Sequence, residues 1–200
     1  MVGVKLYVEG GGDTEFLQSL CERGFRQFLE AAGLHGKMPR IVACGGRGAA
    51  YDNFKTAMKK RQPGTLPLLL VDSETAVGDN AQVWRHLKER DGWEKPAGAK
   101  EEQAFVMVQC METWFLADRE ALASFFVSGF KDKAIPKWPN LEGMEKSTVL
   151  EVLASATAHC DKKVYAKGNL SFELLAQISP AKVEKACPHA ARFLNVLRNL

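Results

Sequence analysis

The sequence predicts an α/β fold: a core of about four mainly parallel strands flanked by helices, followed by an all-helical extension. Strand and helix patterns alternate four times along residues 1–130, whereas residues 131–200 show helix patterns alone. The third predicted strand, residues 66–72, is a continuous apolar run. Such runs are typical of parallel strands covered on both faces, and strand–helix alternation produces that kind of sheet. We expect the extension to pack on the same compact unit.

Each element follows from a local signal. Alternating or continuous apolar residues, bounded by glycine and proline, predict strands at residues 2–8, 40–44, 66–72 and 103–110. Apolar residues at helical spacing predict helices at residues 14–32, 50–61, 81–90, 112–127, 148–159, 171–177, 180–186 and 189–200. Ser147 and Ser179–Pro180 are typical helix starts.

Composition excludes several classes of protein. The 200 residues are 46% hydrophobic and 26% charged, which is typical of a folded domain. The net charge of +3 neither requires nor excludes a nucleic-acid partner. A membrane-spanning helix needs about 20 apolar residues, which the sequence lacks, and the N-terminus does not resemble a secretory signal. The five cysteines are widely spaced and form no CxxC pair, so we expect reduced thiols, a cytoplasmic location and no membrane partner.

Charged residues follow every predicted strand. Glu9, Asp72 and Glu112 come at or just after the ends of the first, third and fourth strands, and Arg47 lies among glycines after the second. Ligands of open parallel sheets bind beyond the carboxyl ends of the strands. Because Asp72 and Glu74 are two residues apart in extended chain, both side chains point the same way.

Carboxylate oxygens are ligands for hard cations such as Mg²⁺ or Mn²⁺. We therefore predict a divalent metal site formed by Glu9, Asp13, Asp72, Glu74 and Glu112. Glu9 is expected either to hold a second metal ion or to act as a general base.

Three further residues are candidates for contact with an anionic substrate. The backbone N–H groups of Gly11 and Gly12, at the start of a helix, favour an anion, and Arg47 is a candidate phosphate ligand. Lys167, beside Gly168 in the extension, is a candidate catalytic lysine, although the sequence does not place it relative to the strands.

These assignments have structural alternatives. Asp13 is also a natural N-cap of the first helix, and Asp72 with Glu74 also suits capping of the next turn. Glu112 also suits the first turn of a helix, where the helix dipole favours an acid. Arg47 is equally suited to pairing with a surface carboxylate.

The motifs resemble a known family. VEGGGDTEF (residues 8–16) and LLLVDSE (68–74) resemble the TOPRIM pattern of topoisomerases, primase-like enzymes and overcoming-lysogenization-defect nucleases. That pattern has Glu-Gly after a first strand and Asp-x-Asp after a later one, where this chain has Asp-Ser-Glu. GGRGAAYDNF (45–54), METWFLAD (111–118) and YAKGNLSFELL (165–175) are similar to blocks of a bacterial TOPRIM-like family of unknown function, so the resemblance covers nearly the whole chain.

The resemblance implies a TOPRIM or Rossmann-like core, with Glu9 as general acid/base and Asp72 and Glu74 as Mg²⁺ ligands. It also implies a cytosolic bacterial protein encoded beside ATPase genes in mobile or anti-phage defence loci. We therefore expect a Mg²⁺-dependent nuclease or another phosphodiester-processing protein that acts on DNA or RNA.

Two other functions stay open: a non-catalytic subunit that docks on an ATPase, and a nucleotide-sensing domain whose glycine loop at Arg47 holds phosphates. Topoisomerase activity is disfavoured, because it needs a nucleophilic tyrosine on another domain. Homo-oligomerisation and the identity of a partner also stay open.

Overall fold

A four-stranded parallel sheet in the order β2–β1–β3–β4 forms the centre of the part of the chain that is described. The computed structural model of the protein describes residues 3–60, 63–78, 82–161 and 164–200. The strands are β1 (Gly3–Val8), β2 (Arg40–Ala43), β3 (Thr65–Asp72) and β4 (Ala104–Met107). The α/β class and the parallel sheet predicted from the sequence are thus confirmed.

Helices surround this sheet and form the extension. They are α1 (Glu15–Ala31), α2 (Arg47–Lys60), α3 (Val83–Asp91), α4 (Glu112–Leu116), α5 (Arg119–Phe126), α6 (Lys146–Thr157), α7 (Asn169–Leu175), α8 (Pro180–Ala186) and α9 (Pro188–Arg198). Short 3₁₀ turns occupy residues 101–103 and 132–134. None of these helices is long and apolar enough to cross a membrane.

The two faces of the sheet pack against different helices, which explains the continuous apolar sequence of β3. Leu68 and Leu70 face a core shared with α1 and the extension. Leu69 and Val71 face a second core formed with α2 and α3. Because side chains alternate between the faces of a strand, a strand covered on both sides is apolar at every position.

The extension is joined closely to the sheet domain through α1 and α7. A Cβ atom added at Gly24 of α1 would lie 2.6 Å from the backbone oxygen of Phe172 in α7. Glycine is therefore required where the two helices cross, and this crossing brings α7 to the carboxyl edge of the sheet.

Several predicted boundaries were wrong. The segment predicted as one helix over residues 112–127 forms α4 and α5, because the Asp118 side chain accepts a hydrogen bond from Ala121 N and starts a new helix. Thr14, not Asp13, caps α1. Ser147 lies inside α6, whose N-cap is Glu145.

The strand predicted over residues 103–110 spans only Ala104–Met107, and the helices predicted from residues 50 and 171 begin at Arg47 and Asn169. Ser179 and Pro180 start α8 as predicted. Arg61 and Ala81, the expected end of one helix and start of another, lie outside the described residues.

Candidate metal site and adjoining cavity

Three of the carboxylates predicted from the sequence meet at the carboxyl edge of the sheet. One ligand oxygen from each of Glu9, Asp72 and Glu74 lies within 4.8 Å of the others. β1 and β3 are neighbours in the sheet, so Glu9 and Asp72 leave it side by side. The backbone N–H of Asp72 donates to Glu9 Oε2 at 2.9 Å, which fixes the Glu9 side chain over the end of β3.

The chain after β3 keeps Glu74 at this edge. Ser73 N donates to Met107 O at 2.9 Å, and Glu74 N donates to Gln109 O at 2.8 Å. Glu74 has a φ of 66°, in the left-handed region that residues other than glycine rarely adopt. This conformation costs about 1–3 kcal/mol, which the surrounding contacts must offset.

Lys146, the first residue of α6, closes the cluster from the extension. Its Nζ lies 2.5 Å from Glu74 Oε1 and 3.4 Å from Asp72 Oδ2. Its backbone N–H donates to Gln109 Oε1 at 3.1 Å, which holds the start of α6 beside the sheet edge. Sequence reasoning missed Lys146, because no motif marks a lysine that lies 72 residues beyond its partner Glu74.

Burial and mutual repulsion shift the ionisation of the cluster. Burial, together with the charges of Glu9 and Glu112, raises the pKa of Asp72 to about 7. Burial also raises the pKa of Glu9, by more than the Asp72 N–H and Arg47 lower it. Burial lowers the pKa of Lys146, but the carboxylates of Glu74 and Asp72 raise it more, so that its pKa lies above its usual value. A further cation at this edge would relieve the repulsion between the acids.

The donor set fits a divalent ion. Mg²⁺ binds oxygen at about 2.0–2.1 Å, so opposite ligands of one ion lie roughly 4.2 Å apart. The 4.8 Å span of Glu9, Asp72 and Glu74 exceeds this only slightly. A small rotation of one carboxylate would therefore bring all three oxygens to one ion, with water completing its coordination.

Arg47 is placed differently from the glycine loop that the sequence indicated. It is the first residue of α2, and its side chain is 13% exposed. Its guanidinium pairs with Asp91, donates to the backbone oxygen of Asp72 and lies 4.8 Å from the ring centre of Trp93. It approaches Glu9 Oε2 only to 3.9 Å. Of the two interpretations, pairing with a carboxylate describes its contacts, although Asp91 is partly buried rather than fully on the surface.

Asp13 does not join the three clustered carboxylates. It is exposed in the turn before α1 and lies outside the group formed by Glu9, Asp72 and Glu74. Gly11 and Gly12 have positive φ angles of 90° and 53° and border a cavity next to Glu9. Gly10 pairs with Gly45 through two backbone hydrogen bonds of 2.8 Å, which ties this turn to the end of β2.

Glu112 borders the same cavity as Gly11 and Gly12 and lies outside the three-carboxylate cluster. It is 2% exposed, and its Oε1 accepts a hydrogen bond of 3.0 Å from the Tyr165 hydroxyl. That hydroxyl also contacts Ser171 Oγ at 2.7 Å. Lys167 Nζ lies 3.3 Å from Glu112 Oε2. The structure therefore places both Glu112 and Lys167 at the cavity that adjoins the carboxylate cluster, paired with each other.

The cavity has a volume of about 320 Å³ and adjoins the carboxylate cluster. Glu9 and Asp72 border it, and so do Glu112 and Lys167. Its remaining walls are mostly apolar side chains and glycine backbone, contributed by Gly10, Gly11, Gly12, Leu17, Gly45, Met107, Met111, Gly168 and Phe172, together with Ser171.

Comparisons with known proteins identify a family but no characterised relative. Neither the search of curated proteins nor the search of solved structures finds a match. A family described as "Domain of unknown function" (DUF4276) matches residues 8–198, which include both the carboxylate cluster and the extension. The chain therefore belongs to the DUF4276 family.

Proposed function

We propose that this protein is a metal-dependent enzyme that processes phosphodiesters, most simply a nuclease of the TOPRIM type. The observation that carries the proposal is the meeting of Glu9, Asp72 and Glu74 within 4.8 Å at the carboxyl edge of a parallel sheet. Open α/β sheets bind their ligands at this edge. A cavity large enough for a small substrate adjoins the cluster.

The three carboxylates would hold Mg²⁺ or Mn²⁺. Such an ion, when bound, polarises a phosphoryl oxygen and lowers the pKa of coordinated water. Lys146 pairs with Glu74 at the cluster, whereas Lys167 pairs with Glu112, which borders the same cavity. Because Lys146 Nζ lies 3.4 Å from Asp72 Oδ2, its ammonium would orient a phosphodiester held there and offset its negative charge.

Glu9 is the residue we assign as general acid/base. Burial raises its pKa, so its carboxylate accepts a proton more readily near neutral pH than an exposed glutamate does. Its Oε2 is held by the Asp72 N–H at 2.9 Å, which fixes its orientation over the cavity. Glu9 would take a proton from the attacking water and return it to the leaving oxygen.

The test is metal binding and cleavage by the purified chain. Mg²⁺ and Mn²⁺ are titrated calorimetrically, and cleavage of single-stranded DNA, duplex DNA and structured RNA is followed in parallel. We expect binding and cleavage in the wild type and the loss of both in Asp72→Asn, whereas Glu9→Gln should lose cleavage most. Glu89→Gln, which removes a carboxylate that is 64% exposed on α3, is the matched control. A wild type that neither binds metal nor cleaves would overturn the proposal.

One observation favours a second candidate, a non-catalytic subunit that docks on an ATPase. Lys146 pairs with Asp72 and Glu74, and Arg47 lies 3.9 Å from Glu9, so cations of the chain itself already contact all three acids. A cluster neutralised in this way can hold the extension against the sheet without metal. Co-purification with the ATPase of an anti-phage defence locus distinguishes the two. A complex that survives Asp72→Asn, without cleavage of any nucleic acid, would favour the subunit.

A further inference from the structure

The cavity that adjoins the carboxylate cluster is amphipathic. Leu17, Met107, Met111 and Phe172 supply apolar walls, whereas Glu112 and Lys167 supply charged groups. At about 320 Å³ it lies near the lower limit for pockets that hold small organic ligands, roughly 300–1,000 Å³. A flat, largely apolar group with polar atoms along one edge suits such walls.

One carboxylate oxygen of Glu112 is buried without a hydrogen-bond donor among the described residues. The residue is 2% exposed, yet its Oε2 accepts no hydrogen bond from any residue in the described ranges. Buried carboxylate oxygens normally accept hydrogen bonds, and leaving one without a donor costs free energy. The Lys167 ammonium forms an ion pair with this oxygen at 3.3 Å, and its side chain is 45% exposed.

The cavity also adjoins the site of proposed chemistry. Glu9 and Asp72 border it, so a ligand whose ring lies among Met107, Met111 and Phe172 can place an attached phosphate at the carboxylate cluster. Glu74 and Lys146, of the same edge, border a separate depression that could hold the next part of a strand. A nucleotide is the ligand that joins an apolar ring, an edge of N–H donors and a phosphate in this order.

We infer that the cavity binds one unpaired nucleotide, guanine by preference, with its base edge at Glu112 and Lys167 and its phosphate at Glu9 and Asp72. The inference rests on the proposed phosphodiester-processing function. Guanine presents two adjacent N–H donors to a carboxylate and an oxygen, O6, to an ammonium. Uracil presents one N–H between two acceptors, and hypoxanthine presents one N–H between an acceptor and a C–H group. A base stacked in a duplex has to leave the stack to enter, so single strands are bound more tightly than duplexes.

The first experiment compares ligands on the wild-type protein and needs no variant. Binding of GMP, IMP and UMP is measured by calorimetry, with and without Mg²⁺. IMP differs from GMP only by lacking the N2 amino group. We expect GMP to bind about tenfold more tightly than IMP or UMP, since a hydrogen bond to a carboxylate is lost with that group. Equal affinities for the three, or no binding of any, would overturn the inference.

The second experiment assigns the preference to Glu112. In Glu112→Gln the Tyr165 hydroxyl can still donate to the amide oxygen, but the negative charge is lost. We expect the ratio of GMP to IMP affinity to fall to about one, while a Glu120→Gln control, at an exposed residue of α5, keeps the tenfold ratio. A preference that persists in Glu112→Gln would overturn the assignment.

Two further comparisons are needed. One distinguishes a free nucleotide from a nucleic-acid strand as the ligand, and the other distinguishes failure of the cavity assignment from failure of the proposed function. Single-stranded oligonucleotides with and without guanine are compared with their duplexes, and tighter binding of guanine-containing single strands than of GMP identifies a strand as the source. Preference for GMP without Mg²⁺ binding or cleavage would support the cavity assignment and contradict the enzyme. Mg²⁺-dependent cleavage with no base preference would contradict the cavity assignment alone.

Discussion

The Lys146 ammonium lies 2.5 Å from Glu74 Oε1, so the first residue of the extension's α6 completes the acidic cluster of the sheet. Lys146 also lies 3.4 Å from Asp72 Oδ2. A divalent ion bound by these two acids would share them with, or displace, the ammonium. The extension is therefore coupled to the candidate metal site by charge as well as by packing.

Replacing Lys146 by methionine is expected to increase the affinity for Mg²⁺. The substitution removes a positive charge that competes for Asp72 and Glu74, and we expect about a tenfold lower dissociation constant, equivalent to about 1.4 kcal/mol. Calorimetric titration measures it. Lys88→Met is the control, because it removes the same charge from a lysine of α3 that forms an exposed ion pair with Glu94. A weaker affinity in Lys146→Met would mean that the lysine orders the carboxylates rather than competing for them.

Arg47 is expected to contribute to stability rather than to contact phosphate. Its guanidinium is held between Asp91 and Trp93, with its side chain 13% exposed. Among the described residues, Arg47→Met leaves Asp91 with Arg90 as its ion-pair partner, and it should reduce the free energy of unfolding by about 3 kcal/mol. In urea unfolding, the double variant Arg47→Met/Asp91→Asn should lose less free energy of unfolding than the two single variants lose in sum. Additive losses would contradict a coupled pair.

Part of the candidate site could be predicted from the sequence, because parallel strands bring their carboxyl ends to one edge. Glu9, Asp72 and Glu74 follow β1 and β3 directly, so any parallel arrangement that pairs these strands gathers them. Asp13 was chosen on the same reasoning. However, the turn of Gly10–Gly12 takes it away from the edge, where it is exposed.

The residues that sequence reasoning missed come from the extension. Lys146 and Tyr165 reach the site through helix packing between segments 53 to 74 residues apart, for which a single sequence carries no periodic signal. Arg47 was placed in a loop because glycines flank it, yet it starts α2, and its partner Asp91 lies 44 residues further along the chain. The apolar spacing likewise predicted one helix across α4 and α5, because helix periodicity carries no information about the N-cap at Asp118.

The crossing of α1 and α7 is expected to tolerate only glycine at position 24. In Gly24→Ala the new methyl group would lie 2.6 Å from Phe172 O, so the helices must separate. We expect the free energy of unfolding to fall by about 1–3 kcal/mol, as in other overpacked contacts. Gly48→Ala is the control: apart from its chain neighbours and its own helix backbone, no described atom lies within 4 Å of its added Cβ, and it should stabilise α2 by up to about 1 kcal/mol. Equal effects of the two substitutions in urea unfolding would contradict the close crossing.

Asp118 is expected to make stability depend on pH. Burial raises its pKa, but donors from Lys182, Ser179 and Ala121 lower it more, so its pKa lies below its usual value. The resulting stability is present above the unfolded pKa of about 3.9 and is lost as pH falls through the lower folded pKa. Asp118→Asn should cost about 1–2 kcal/mol at pH 7, with the difference from wild type shrinking between about pH 5 and pH 2 in urea unfolding. A difference that is the same at both ends of this range would show that the charge of Asp118 is not responsible.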